Sequence, residues 1–236
     1  AWRDQPDGRA TFRAITNEVM RRISALVDHR ANYAPIEVPL PAPPRFARLG
    51  VLLLHGFTSH TDTVAALVPH LEAAGIPYEM PWLRGHGTRY QDLRGVKARE
   101  WYVDAECALI NLLNRAERVV VVGLSMGGLV ALELAMKHPT KIAGLVTVAA
   151  ALQFADPKVA LTGLIKRFVR YWPSPEAFND PSLRHLSRNY PFFPTDAFAE
   201  LYSFSLRVAE RLGKVHVPIR ILQSKADTVV APRSAR

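Results

Sequence analysis

Ser125 stands in Gly123-Leu124-Ser125-Met126-Gly127, a G-x-S-x-G pattern that presents a serine hydroxyl as a nucleophile. The chemistry open to such a serine is nucleophilic attack, provided an adjacent group takes its proton. It requires a strand and a helix joined by a tight, strained bend, so that the hydroxyl projects from the carboxyl edge of a sheet and the helix aims its amino terminus at the same point. Gly123 and Gly127 are then steric requirements, because larger side chains would collide with the neighbouring strand and helix, and Gly128 lets the helix lie close to the sheet. The flanks agree. Val119, Val120, Val121 and Val122 form a β-branched run that reads as a buried strand, and Leu129, Leu132, Ala135 and Met136 recur at helical spacing after the bend.

The elements that must position this serine alternate strand and helix signals along the chain, as a mainly parallel sheet with helices on both faces requires. Phe12, Ile15, Val19, Ile23, Leu26 and Val27 share one face of a helix expected at about 11–31, whose other face is basic and which packs on the protein. A proline-rich stretch, 35–44, leads into a strand at Val51, Leu52, Leu53 and Leu54, followed by His55-Gly56-Phe57-Thr58-Ser59. Thr61 or Asp62 caps a helix expected to run to about Ala74, closed by Gly75. A strand is expected over 76–82, then the turn Arg84-Gly85-His86-Gly87, then a helix over about 96–115 with Trp101, Ala105, Ala108, Leu109 and Leu112 facing inward. Further strands are expected at 142–149 and 217–223. Between them, from about 153 to 213, Pro157, Pro173, Pro175, Pro181, Pro191 and Pro194 interrupt short helices rich in aromatic residues.

His-Gly-Phe-Thr after an early strand, together with Gly-Leu-Ser-Met-Gly-Gly at the bend, resembles the α/β-hydrolase superfamily, in particular its branch of small carboxylesterases and monoacylglycerol lipases. The resemblance covers most of the chain and implies a serine carboxylic-ester hydrolase of doubly wound α/β architecture with a small helical cap. It implies that the backbone N–H groups of Phe57 and Met126 form the oxyanion hole, where one donor is worth about 3 kcal/mol of transition-state stabilisation. It implies structural roles for His55, which holds its loop, and His86, whose Gly-His-Gly turn shapes a loop near the site. The 153–213 segment corresponds to the cap, which supplies apolar walls for the substrate; Leu161, Leu164, Ile165, Phe168, Tyr171, Trp172, Phe192, Phe193, Phe198, Tyr202 and Phe204 are candidates, with Leu164, Phe168, Trp172 and Phe204 retained. Asp227, in Asp227-Thr228-Val229-Val230-Ala231-Pro232, matches the D-x-V-V-x-P loop and is the expected triad acid, ahead of Asp180 and Asp196 in the cap.

The triad base has no candidate. The family's histidine follows one further strand beyond the acid, and none of His29, His55, His60, His70, His86, His138, His185 or His216 has that place. The expectation is that the final strand and helix, and the histidine with them, lie on polypeptide past Arg236. Two readings stay open at this level: an ester hydrolase, or a non-catalytic hydrolase-fold protein that holds an apolar ligand. A thioesterase, lactonase or acyltransferase would use the same parts.

With 49% hydrophobic residues, 236 residues suffice for one domain spanning the chain. The net charge of +9 raises nucleic acid or an anionic surface as partners. The arginines are dispersed and no recognition motif accompanies them, so nucleic acid is not expected, although a basic face favours contact with anionic interfaces. No apolar run approaches the length that spans a bilayer. The lone Cys107 fits a reducing, cytoplasmic compartment, with a removed leader as the alternative. No metal cluster, P-loop or dinucleotide fingerprint occurs, and no cofactor is expected.

Overall fold

Val119 to Val122 sit at the centre of β3 (Ala116–Leu124), a strand covered on both faces. Side chains alternate sides along a strand. Val119 and Val121 therefore join the larger core with Trp101, Leu109, Leu129 and Leu134, while Val120 and Val122 pack toward Val51, Leu53 and Val64 on the other face. A computed structural model describes residues 47–175 and 187–235, all within the unit Arg45–Arg236. The helix expected at about 11–31, the 35–44 segment and Asp180 lie outside the described residues.

β1 (Ala47–Leu54), β2 (Tyr78–Glu79), β3, β4 (Ile142–Val148) and β7 (Ile219–Leu222) form one parallel sheet in the order β2-β1-β3-β4-β7. Leu54 pairs with Gly123, Gly123 with Thr147, and Thr147 with Ile221, so the strands end level and their following loops leave from one edge. After β1 the chain goes outward to β2; after β3 it goes outward the other way. The crevice between the ends of β1 and β3 is thus a topological switch point, the usual place for a ligand in such sheets. His55-Gly56-Phe57 and Ser125 are the residues that emerge there.

The helix expected from Asp62 to Ala74 is two pieces, α1 (Asp62–Ala65) and α2 (Val68–Ala73), closed by Gly75 at φ 63°. Pro69, near the start of α2, has no N–H to bond the Ala65 carbonyl four residues back, so the hydrogen-bond ladder restarts there. α3 (Ala98–Leu113) buries Trp101, Ala105, Ala108, Leu109 and Leu112, the expected face. A fully buried leucine such as Leu109 contributes about 2 kcal/mol. α4 (Met126–Lys137) follows β3 and ends before Pro139.

The 153–213 segment contains a 3₁₀ turn (Pro157–Leu161), α5 (Thr162–Ile165), an antiparallel ribbon of β5 (Tyr171–Pro173) and β6 (Phe192–Pro194), and α6 (Thr195–Ala209). The ribbon was not expected from the sequence. α6 is longer than the short helices anticipated because no proline interrupts it after Pro194. It buries Ala197, Leu201, Phe204 and Val208 at helical spacing, and its carboxylates reach back to the core: Asp196 accepts the Gly95 N–H at 3.0 Å and Glu200 the Ala98 N–H at 3.4 Å. β7 is the edge of the described sheet, with Ile219, Ile221 and Leu222 exposed. No helix among the described residues is long and apolar enough to cross a membrane.

Candidate active site

Ser125 has φ 52° and ψ −110°, a conformation that costs a residue with a side chain about 1–3 kcal/mol. Three backbone hydrogen bonds hold it there. Its N–H donates to the Val148 carbonyl at 2.9 Å, and its own carbonyl accepts from Gly128 at 3.0 Å and Ala151 at 3.2 Å. The glycines around it are sterically enforced: a Cβ at Gly123 would strike the Gly127 carbonyl, and one at Gly127 the Leu54 carbonyl. A Cβ at Gly128 would lie 2.8 Å from that of Ala150.

The N–H groups of Phe57 and Met126 have no acceptor among the described residues, and the two residues follow the ends of β1 and β3, which pair side by side on one sheet edge. Met126 opens α4, where the first N–H groups of a helix have no partner within it. Phe57 lies in the loop after β1, which is unusually constrained. Thr58 takes a left-handed φ of 59°, its N–H donates to His86 Nε2 at 3.2 Å, and its hydroxyl donates to the Phe57 carbonyl. His55 spans the same loop, with Nδ1–H donating to the Gly56 carbonyl at 2.9 Å and Nε2 accepting the Leu83 N–H at 3.2 Å.

His55 and His86 are buried with ring centroids 4.7 Å apart. Burial pushes His55 down to about 4; burial and then the charge of His55 push His86 down to about 3. Both rings are therefore neutral near pH 7, each with one nitrogen accepting a backbone N–H. That is the loop-holding role the resemblance implies for His55.

Asp227 leaves the carboxyl end of β7, on the same sheet edge as Ser125. Its Oδ1 accepts the Val229 and Val230 N–H groups at 3.0 and 2.9 Å, and its Oδ2 accepts from Gln223 Nε2 at 3.1 Å. The loop is pinned to the start of the cap segment by Ala155 N–H to Val229 and Ala231 N–H to Gln153. Among the described residues no histidine hydrogen-bonds Ser125 or Asp227. His138 is bound to Glu106 at the far end of α4, about 18 Å along the helix from Ser125. His29 and His185 lie outside the described residues. No group of three or more His, Cys, Asp or Glu side chains among the described residues is arranged to hold a metal.

A cavity of about 620 Å³ lies beside this edge, walled by Phe154, Val159, Ile165, Trp172, Phe193 and Phe198 and, next to Asp227, by Thr228 and Val229. Phe57 connects the N–H loop to that wall through edge-on contacts with Phe193 and Phe198, at 5.7 and 5.9 Å between centroids. Of the four side chains retained from the sequence for substrate contact, Trp172 lines the cavity, and of the wider set of cap candidates Leu161, Ile165, Phe193 and Phe198 do as well. Leu164 and Phe168 are 60% and 84% exposed and are not part of its wall, and Phe204, 4% exposed, belongs to the main core. Phe154, Thr228 and Val229 were not singled out. Val229 could have been, from its place in the loop that carries Asp227.

The profile of the family described as serine aminopeptidase, S33, matches residues 47–236. The thermostable monoacylglycerol lipase of Bacillus sp. (strain H-257) is 32% identical over 188 residues, covering 79% of this chain and 74% of the lipase. The carboxylesterase of Bacillus subtilis (strain 168) is 24% identical over 186 residues, covering 78% and 74%. Among solved structures, one from work on the metagenome-derived lipolytic enzymes LipS and LipT superposes with a TM-score of 0.72 at 30% identity, covering 80% of this chain and 76% of its own. The elbow at Ser125, the parallel sheet and these likenesses agree, and the chain belongs to the α/β-hydrolase superfamily, in the serine aminopeptidase S33 family and on its branch of carboxylesterases and monoacylglycerol lipases.

Proposed function

We propose that the protein is a serine carboxylic-ester hydrolase acting through an acyl-enzyme, with Ser125 as its nucleophile. The observation that supports this reading is the strained backbone of Ser125 at the sheet edge from which Phe57 and Met126, whose N–H groups have no acceptor among the described residues, also emerge. In the proposed sequence, Ser125 Oγ adds to the ester carbonyl as an imidazole base takes its proton, and the carbonyl oxygen gains negative charge between the Phe57 and Met126 N–H groups. The tetrahedral intermediate collapses, the C–O bond to the alcohol breaks and the imidazolium protonates the leaving oxygen. Water then repeats the sequence on the acyl-enzyme. Asp227 is proposed to orient that imidazole and stabilise its charged form. The position of the imidazole is one that no described histidine occupies.

An ester suits the cavity better than the amino-terminal peptide that the family description suggests. A protonated amine needs a carboxylate facing it. Among the described residues the one carboxylate on the cavity wall is Asp156, whose Oδ1 already accepts the Lys158 N–H at 2.9 Å, with the Lys158 side chain as neighbour. Aromatic and aliphatic walls instead favour an apolar acyl or alcohol group. A panel of p-nitrophenyl esters of increasing chain length, run beside aminoacyl p-nitroanilides, tests this. Hydrolysis of the esters with kcat/KM rising with chain length is expected; preferential cleavage of the anilides would overturn the ester assignment.

A further inference from the structure

Tyr190, just before β6, makes contacts on both sides of the loop that carries the Phe57 N–H. Its own N–H donates to the Thr58 carbonyl at 2.8 Å. Its hydroxyl donates to the Gly85 carbonyl at 3.2 Å and accepts the Thr88 N–H at 3.0 Å. Its ring lies nearly parallel to that of His86, 9° between planes and 6.3 Å between centroids. Since His86 Nε2 accepts the Thr58 N–H, both polar groups of Thr58 are held by this unit, the N–H by His86 and the carbonyl by Tyr190. The Phe57–Thr58 peptide plane, adjacent to the proposed oxyanion donor, is held by His86, while Tyr190, a residue of the cap, holds the next plane, Thr58–Ser59, through its N–H and the 85–88 turn around His86 through its hydroxyl.

We propose that Tyr190 is a positioning residue for the hydrolytic reaction, coupling the cap ribbon to the orientation of the Phe57 N–H. Ser174 and Pro191 join β5 to the Tyr190 end of β6 by a hydrogen bond of 2.9 Å, and Trp172 on β5 and Phe193 on β6 line the cavity. A substrate that fills the cavity therefore presses on the same ribbon that Tyr190 ties to the loop. The left-handed φ of Thr58 explains why such a tie is needed: a threonine leaves that conformation readily unless its neighbours hold it.

The inference rests on the oxyanion role of Phe57, and the test separates the two. Tyr190→Phe removes only the hydroxyl. Kinetics on p-nitrophenyl butyrate are measured with the affinity of an alkyl trifluoromethyl ketone, whose Ser125 adduct places an oxyanion in the hole, and of the corresponding secondary alcohol, which cannot form one. In the variant, kcat and ketone affinity should fall together by about tenfold or more, while KM and alcohol affinity stay within about twofold. Tyr190→Leu, which also removes the ring beside His86, should deepen the same split. Equal losses for ketone and alcohol, or a melting-temperature change with unaltered kcat, would make Tyr190 a structural rivet and overturn the proposal. A wild-type protein that binds the ketone no better than the alcohol would instead refute the oxyanion reading of Phe57.

Discussion

Gly56 and Ser125 face each other across the ends of β1 and β3, so closely that a Cβ on Gly56 would stand 3.4 Å from the Cβ of Ser125. That is ordinary van der Waals contact, in the place proposed for the substrate carbonyl. Gly127, two residues after Ser125, has no such room, since its Cβ would strike the Leu54 carbonyl.

The two glycines should therefore respond differently to alanine. Gly56→Ala is expected to fold with a stability change within about 1 kcal/mol and to lose kcat/KM by tenfold or more, because the methyl crowds the reacting centre. Gly127→Ala is expected to cost about 3 kcal/mol, because backbone must shift to admit it. Urea melts and ester kinetics on both variants check this, and a normally active Gly56→Ala would contradict the placement of the carbonyl between β1 and β3.

Asp227 and Asp196 offer a second contrast. Asp227→Asn should preserve folding and KM while lowering kcat by roughly 10⁴-fold, since the amide would favour the wrong tautomer of the imidazole that Asp227 is proposed to orient. Asp196 accepts the Gly95 N–H and ties α6 to the loop before α3, so Asp196→Asn should lower stability by about 1–2 kcal/mol with kcat nearly unchanged. Steady-state kinetics and thermal melts on both variants read the two outcomes; a large kcat loss in Asp196→Asn with none in Asp227→Asn would move the acid into the cap.

Acid should loosen the loop that carries Phe57. An unfolded chain protonates its histidines near 6.5, whereas the folded protein holds His55 neutral to about 4 and His86 to about 3. Between those values the unfolded state binds more protons, so stability is full above pH 6.5 and declines as the pH falls toward 3, by on the order of 3 kcal/mol per ring. Melts between pH 7.5 and 5 isolate this effect from most carboxylates. The wild type should lose stability across that range and His86→Gln should lose less; a pH-independent melting temperature would contradict the burial of both rings in neutral form.

Much of the positioning frame was legible because its signals are local. Four β-branched residues before Gly123 and helical spacing after Gly127 suffice to read a strand, a bend and a helix, and the inward face of α3 follows from the period of Trp101, Ala105, Ala108 and Leu112. The break at Pro69 was also encoded locally, but the apolar spacing on both sides of it reads as continuous. The β5–β6 ribbon was not legible: three-residue strands with a proline at one end carry no alternation to detect. The cavity wall joins Phe154, Phe193 and Val229, which only tertiary structure brings together. Thr58 at positive φ was equally hidden, because a threonine gives no local sign of that conformation and the groups that hold it, His86 and Tyr190, come from distant segments.

The central claim is that Ser125 is the nucleophile, and active-site labelling reads it most directly. After reaction with a fluorophosphonate and proteolysis, mass spectrometry should find the phosphonyl group on the peptide containing Ser125, and Ser125→Ala should remain folded, resist labelling and lose essentially all esterase activity. Labelling at Ser59 or Ser224, or ester turnover surviving in a folded Ser125→Ala protein, would contradict the account.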